Sequence, residues 1–317
     1  MPADQASLSE MLRARRLSRR DFLGFCGLMA TTLALPRSFI PRIAAAVAAA
    51  PRQPVLWVEF QGCTGDTESF LRSSQPSIVD LLLDSISLDY HETIMVPAGA
   101  QAEMSLSQTI QEHDGQYIAV VEGSIPLAAG GVYCVSGGRT ALSIAQEVCT
   151  HAAATIAVGS CASDGGISAA APNPTGAVGV RQAIPGLSNL VCLPGCPANV
   201  VNVAATIVYY LLNHALPERL DGDRPKFAYE KELHERCERR EHYSAERFVR
   251  AWGDEGHRQG WCLREMGCRG PETHHNCPTV RWNQGTSWPV AGGHPCVGCA
   301  APHFWDALSP FYVERED

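Results

Sequence analysis

Lysine is almost absent from this chain of 317 residues: Lys226 and Lys231 are the only two among 25 basic side chains. Against 33 acidic residues they leave a net charge of −8, so the basic face that a nucleic-acid binder needs is missing. No apolar run reaches the roughly 20 residues of a membrane span. The 28 glycines follow no period, which excludes a collagen-like chain, and the apolar content of 45% excludes a disordered one. There is no nucleophile–base pair and no phosphate loop, so the chain is not expected to cleave a substrate by itself. Thirteen cysteines are too few for a small disulfide scaffold, where roughly 8–10% is usual, yet too many to ignore. At roughly 150 residues per domain the length suggests two domains.

The first 48 residues read as an address. Ser18-Arg19-Arg20-Asp21-Phe22-Leu23 is a twin-arginine pattern, an apolar run covers residues 24–35, and small residues at 44–50 offer a cleavage point after Ala46 or Ala48. Seven arginines and three acids leave with residues 1–46, which would turn the net −8 into −12; Cys26 leaves with them. The route implied is twin-arginine export, to the periplasm or the outer face of the cytoplasmic membrane, after folding and cofactor loading. The mature chain would have no transmembrane helix, so any membrane attachment must come through a partner.

Residues 49–225 alternate strand and helix patterns. Strands are expected at 55–60, 117–122, 155–158 and 190–193, and helices at 77–85, 140–153 and 198–213. This alternation predicts an α/β fold, a doubly wound, flavodoxin-like parallel sheet, which binds ligands at the carboxyl ends of its strands. The loops after three of these strands carry Cys63, Cys161 and Cys196 beside glycine or proline, with Asp66 three residues beyond Cys63. Three thiols at three strand ends can converge on one point.

Residues 226–317 change character. Apolar periodicity thins out, and His234-x-x-Cys237, Cys262-x5-Cys268, Cys277 and Cys296-x-x-Cys299 dominate. Such a segment builds an ordinary core poorly, and inorganic centres would supply the cross-links. An irregular, cluster-binding second domain is expected. Three readings of the thiols stand at this point: disulfides, which suit an even count of twelve in an exported chain; zinc, which suits the His-x-x-Cys and Cys-x-x-Cys pairs; and iron–sulfur clusters, which tolerate the looser spacings.

Taken in order, the motifs resemble the small, electron-transferring subunit of nickel–iron hydrogenases. They are Trp57-x-Glu59-x-Gln61-x-Cys63-Thr64-Gly65, Gly159-Ser160-Cys161-x3-Gly165-Gly166-Ile167, Gly195-Cys196-Pro197 and His234-x-x-Cys237-x-Arg239-Arg240. Then come Gly260-x-Cys262-Leu263, Gly267-Cys268-x-Gly270-Pro271, Cys277-Pro278-x3-Trp282-Asn283 and Gly293-His294-x-Cys296-x-Gly298-Cys299. The resemblance implies a proximal 4Fe–4S cluster on Cys63, Asp66, Cys161 and Cys196, and a distal 4Fe–4S cluster on His234, Cys237, Cys262 and Cys268. It implies a medial 3Fe–4S cluster on Cys277, Cys296 and Cys299, because Pro289 stands where relatives with a 4Fe–4S medial cluster place a fourth Cys. Most of the family has Cys at the position of Asp66; hydrogenases of the actinobacterial kind are similar to this chain in carrying Asp. Gly65 and Gly166 occupy the places of two additional thiols found in oxygen-tolerant members.

Cys134, Cys149 and Cys192 are left over and are expected to be buried structural thiols. The mixed charges of residues 230–241 read as a solvated helical face. The activity implied is dihydrogen oxidation at a nickel–iron centre in an obligate large subunit. Electrons would pass through this chain to a membrane cytochrome or another acceptor; the alternative is an electron-transfer subunit of another exported oxidoreductase.

Overall fold

The computed structural model describes residues 18–48, 52–72, 86–283 and 285–314. Five parallel strands form the central sheet: β1 (Gln53–Glu59), β2 (Ile86–His91), β3 (Ile118–Glu122), β4 (Ala154–Val158) and β5 (Leu190–Leu193). Their order is β2-β1-β3-β4-β5, the flavodoxin-like order. Pairing places Val55 beside Ile118, Ile118 beside Ala154, and Thr155 beside Leu190.

Both faces of the sheet are buried, as a parallel sheet requires, and the two-residue period of the strands sorts their side chains between two cores. Val55, Trp57, Ile118 and Val120 enter one core with a long apolar helix, whereas Leu56, Val58, Ala119 and Val121 enter the other. The long helix spans Val200–Asn213; Asn199 caps it by accepting the N–H of Val201 at 2.9 Å, so it starts two residues later than the sequence pattern suggests. The helix expected at 140–153 runs over Ala141–Thr150, capped by Thr140. The helix expected at 77–85 lies outside the described residues. Strand β2 and the helix Ala100–Glu112 were not anticipated from the sequence.

Residues 18–48, the described part of the segment expected to be a leader, fold back on the domain. Two helices, Arg19–Thr32 and Ile40–Ala48, bury Phe22, Phe25, Cys26, Met29, Ile43 and Val47 in the same core as the Val200–Asn213 helix. Among the described residues no helix is long and apolar enough to cross a membrane. Of the left-over thiols, Cys149 and Cys192 are buried in the second core as expected. Cys134 is only half-buried, because it sits in the irregular stretch between β3 and the Ala141–Thr150 helix rather than inside an element.

Beyond residue 225 the chain forms short helical turns and isolated bridges around a small core of Leu233, Val249, Leu263, Met266, Trp288 and Val290. Half-buried Cys237, Cys268, Cys277 and Cys296 pack against that core.

Candidate metal centres

All carboxyl ends of a parallel sheet share one rim, and here the loops after β1 and β5 bring Cys63 and Cys196 to it, while Cys161 comes from the short helix Gly159–Asp164 that directly follows β4. Thr64, in the left-handed region at φ 59°, turns the chain from the β1 loop into a short helix, Gly65–Leu71. Glu122, at the end of β3 and 2% exposed, holds the start of that helix. Its carboxylate accepts the N–H groups of Asp66 and Thr67 at 3.0 and 3.1 Å, the Thr67 hydroxyl, and the indole N–H of Trp57 at 3.1 Å.

The second residue of this helix is Asp66. Its Oδ1 accepts the N–H of Ala198 at 2.6 Å, which fixes the carboxylate beside the Cys196 loop. Burial pushes its pKa up to about 7; the Ala198 N–H opposes that shift and the charge of Glu122 adds to it. Burial likewise raises the Cys161 thiol to about 11, with the charges of Asp66 and Cys63 contributing. Cys196 rises to about 12 through burial and the nearby thiols of Cys299, Cys161 and Cys63. The four donors named by sequence therefore share one electrostatic environment.

Glycine keeps this rim open. A Cβ on Gly159 (φ 79°) would fall 2.1 Å from Asp66 Oδ2, and one on Gly166 (φ 59°) only 2.4 Å from Cys161 Sγ. Backbone approaches the donor atoms this closely only where no side chain exists.

The other donors gather in two cavities. His234, Cys237, Cys262 and Cys268 line a narrow one with Leu233 and Trp288. Burial and the Arg240 charge lower the His234 pKa, which favours the neutral imidazole that can bind a metal, and Tyr243 stands edge-on to its ring at 4.6 Å. Cys277, Cys296 and Cys299 line a second cavity of about 410 Å³, with Cys196, Pro289 and Trp288 also in its wall. Ser160 ties this cavity to the rim: its hydroxyl donates to the Cys299 carbonyl and accepts the Gly195 N–H at 3.0 Å.

The donor chemistry fits iron–sulfur clusters. All thirteen cysteines are free, which removes the disulfide reading. Among the described residues no three His, Cys, Asp or Glu side chains are close enough to hold a single metal ion. The thiols ring spaces rather than points, as a polynuclear group requires and a tetrahedral zinc ion does not. Two residues lining the second cavity also carry a buried polar atom without a partner among the described residues: Nε1 of Trp288 and Nδ1 of His275. Sequence reasoning missed both, along with Glu122 and Ser160. Only Glu122 left a signal, as the one charge closing an otherwise apolar strand.

Comparison with known proteins gives two family matches. Residues 229–312 match the family described as the C-terminal part of the NiFe/NiFeSe hydrogenase small subunit, and residues 63–210 match NADH ubiquinone oxidoreductase, 20 Kd subunit. The chain is 46% identical over 304 residues to the periplasmic [NiFe] hydrogenase small subunit 1 of Nitratidesulfovibrio vulgaris, covering 96% of this chain and 95% of that one. It is 43% identical over 290 residues to the hydrogenase-2 small chain of Escherichia coli, covering 91% and 78%. Among solved structures, the reduced, active Ni-Fe-Se hydrogenase of Desulfomicrobium baculatum aligns with a TM-score of 0.78 at 34% identity, over 84% of this chain and all of that one. The actinobacterial-type NiFe-hydrogenase of Ralstonia eutropha aligns at 0.75 and 26% identity, over 84% of each chain.

Proposed function

Since the chain belongs to the small subunits of nickel–iron hydrogenases, which act in complex with a large subunit, we propose that it conducts electrons from dihydrogen oxidation through three iron–sulfur sites. The proximal site is held by Cys63, Asp66, Cys161 and Cys196, the medial by Cys277, Cys296 and Cys299, and the distal by His234, Cys237, Cys262 and Cys268. One observation carries the reading. The donor sets separate in space, one at the sheet rim and two in separate cavities, and Cys196 belongs to both the rim and the medial wall.

Iron–sulfur clusters bound there supply one-electron redox chemistry. The chain's own residues fix where that chemistry happens. Glu122 orders the turn that presents Cys63 and Asp66, and the Ala198 N–H orients the Asp66 carboxylate. A carboxylate is a harder donor than thiolate, so it shifts the potential of the site it serves. Pro289 in the medial wall offers no donor, which leaves three thiolates and a 3Fe–4S site. His234 suits the exit site, where exposed Tyr243 and the chain's mixed-charge surface begin.

We further assign residues 1–48 to a twin-arginine leader, 49–225 to the sheet domain with the proximal site, and 226–317 to the domain with the other two. The complex would then work at the periplasmic face and pass electrons to a membrane cytochrome or another acceptor. Measuring the metals and constituent chains of the native complex tests the reading. It should give iron, acid-labile sulfide and a larger nickel-containing chain, with a 3Fe signal by electron paramagnetic resonance after oxidation. Missing nickel chain or missing 3Fe signal overturns the corresponding part. Asp66→Cys should move the potential and spectrum of the proximal site; no change would remove Asp66 from the donor set.

A further inference from the structure

Trp288 is the partition between the two cavities of the second domain. Its side chain lines the narrow cavity of His234, Cys237, Cys262 and Cys268 and also the larger one of Cys277, Cys296 and Cys299. It is 4% exposed, and its indole N–H meets no acceptor among the described residues. A buried tryptophan N–H ordinarily finds a partner. Trp57 shows this in the same chain, donating to Glu122 at 3.1 Å. The exception is not explained by looseness. The Trp288 carbonyl accepts the Gly292 N–H at 3.0 Å, and the preceding Ser287 is bridged to Trp282, whose N–H donates to the Ser287 carbonyl at 2.7 Å.

A rigidly held, buried donor without an acceptor on the polypeptide is what remains when the acceptor belongs to a group outside it. We infer that the Trp288 indole N–H donates to a sulfur atom of the medial group. The medial cavity is favoured because it is the roomier of the two, and because its three thiolates and Pro289 leave one corner of the bound group without a protein donor. A hydrogen bond to sulfur stabilises the more negative, reduced state, so Trp288 raises the medial potential. Placed in the wall that both cavities share, it acts as a positioning residue for the medial-to-distal step.

The inference rests on the cluster reading above, and the test separates the two. In the complete heterodimer, with tryptophan labelled by 15N at the indole nitrogen only, the oxidised 3Fe signal should show a 15N coupling and an exchangeable-proton coupling. Trp288→Phe, which keeps the bulk, should remove the couplings beyond those of Trp282, whose indole bonds the Cys277 thiol, and lower the medial potential while leaving the 3Fe signal in place. If Trp288→Phe does not assemble, Trp282→Phe decides alone: it removes the indole that bonds the Cys277 thiol, so a 15N coupling surviving in it belongs to Trp288 and its complete loss overturns the inference. An intact 3Fe signal without indole coupling, or coupling found on the distal signal, overturns this inference alone. A complex lacking the 3Fe signal altogether overturns the medial assignment beneath it.

Discussion

The backbone N–H of Cys296 donates to Sγ of Cys268 at 3.4 Å, and Arg269, the residue after Cys268, returns its own N–H to the Cys296 carbonyl at 2.7 Å. A donor assigned to the distal site and one assigned to the medial site are thus clamped by two hydrogen bonds between adjacent backbone segments. The clamp ties the two cavities together through one backbone–backbone bond and one bond to the Cys268 thiol. It also turns the neighbouring Arg269 side chain away from both cavities, where it does different work.

Arg269 is 2% exposed, and its guanidinium donates to the carbonyls of Leu308, Pro310 and Val313 at 3.2, 3.2 and 2.9 Å. Arg269→Ala would leave three carbonyls of the carboxyl-terminal stretch without that donor. An orphaned buried acceptor costs roughly 1–3 kcal/mol, and only Leu308 of the three residues is buried, Pro310 and Val313 being exposed. We expect a loss of about 1–3 kcal/mol in unfolding free energy and faster proteolysis around residues 304–313. Arg269→Lys should recover part of it. An unchanged melting temperature in Arg269→Ala would show that the tail is held by other contacts.

Two glycines with the same backbone conformation should respond differently to alanine. Gly138 and Gly159 both have φ 79°, but a Cβ on Gly138 meets nothing within 4 Å, while one on Gly159 would strike Asp66 Oδ2. Gly138→Ala should cost only the left-handed backbone penalty, about 1–2 kcal/mol. Gly159→Ala should also displace the Asp66 carboxylate from the Ala198 N–H and reduce iron content and the proximal spectrum. Equal effects of the two substitutions would mean that Asp66 has room to move without consequence.

Four of the five sheet strands were legible because each is a run of apolar residues buried on both faces, closed by glycine or proline. Strand β2 was not, since Ile86-Ser87-Leu88-Asp89-Tyr90-His91 lies at the sheet edge and carries polar side chains satisfied locally, as in the Thr109 hydroxyl donating to Asp89 at 3.2 Å. The helix at Ala100–Glu112 follows Gly99, which offers no capping side chain, and buries only Leu106, Thr109 and Ile110. The rim donors were readable as strand-end residues. The grouping of His234 with Cys262 and Cys268 was not, because spacing says nothing of how a coreless segment folds; only the family resemblance supplied it. Trp288 was invisible, since a tryptophan before a proline gives no sign that its N–H will lack an acceptor.

Acid should loosen one loop before the rest. Asp254 accepts the N–H groups of Arg250, Ala251 and His257 at 2.9, 3.1 and 2.6 Å, which holds its carboxyl below the ordinary value of about 3.9. A depressed carboxylate pKa contributes stability above the unfolded value and loses it as pH falls through the folded one. Amide protection over residues 250–258, exchange measured relative to the intrinsic rate at each pH, should therefore be constant above about pH 5 and fall below about pH 4. Asp254→Asn should flatten that dependence. The loop reaches the medial region through His257, whose ring contacts the Gly293 carbonyl at 3.0 Å. Protection that does not change with pH in the parent protein would remove Asp254 as the cause.

The helices Arg19–Thr32 and Ile40–Ala48, proposed above as part of a leader, should behave as a docked element rather than a free tail. Phe22, Phe25, Met29, Ile43 and Val47 are buried against the core of the Val200–Asn213 helix, and each such side chain is worth roughly 1.5–3 kcal/mol when fully buried. A carboxylate placed there has no partner and carries the cost of an unpaired buried charge. Phe22→Asp with Met29→Asp should therefore release the leader. Limited proteolysis would then cut near residues 44–50 faster, and a hydrophobic dye would report the uncovered face of the long helix. The sheet domain itself should melt at nearly its original temperature, because its second core and the strand pairing are untouched. Proteolysis of the double variant at the parent's rate would show that the two leader helices are held by something other than this apolar face.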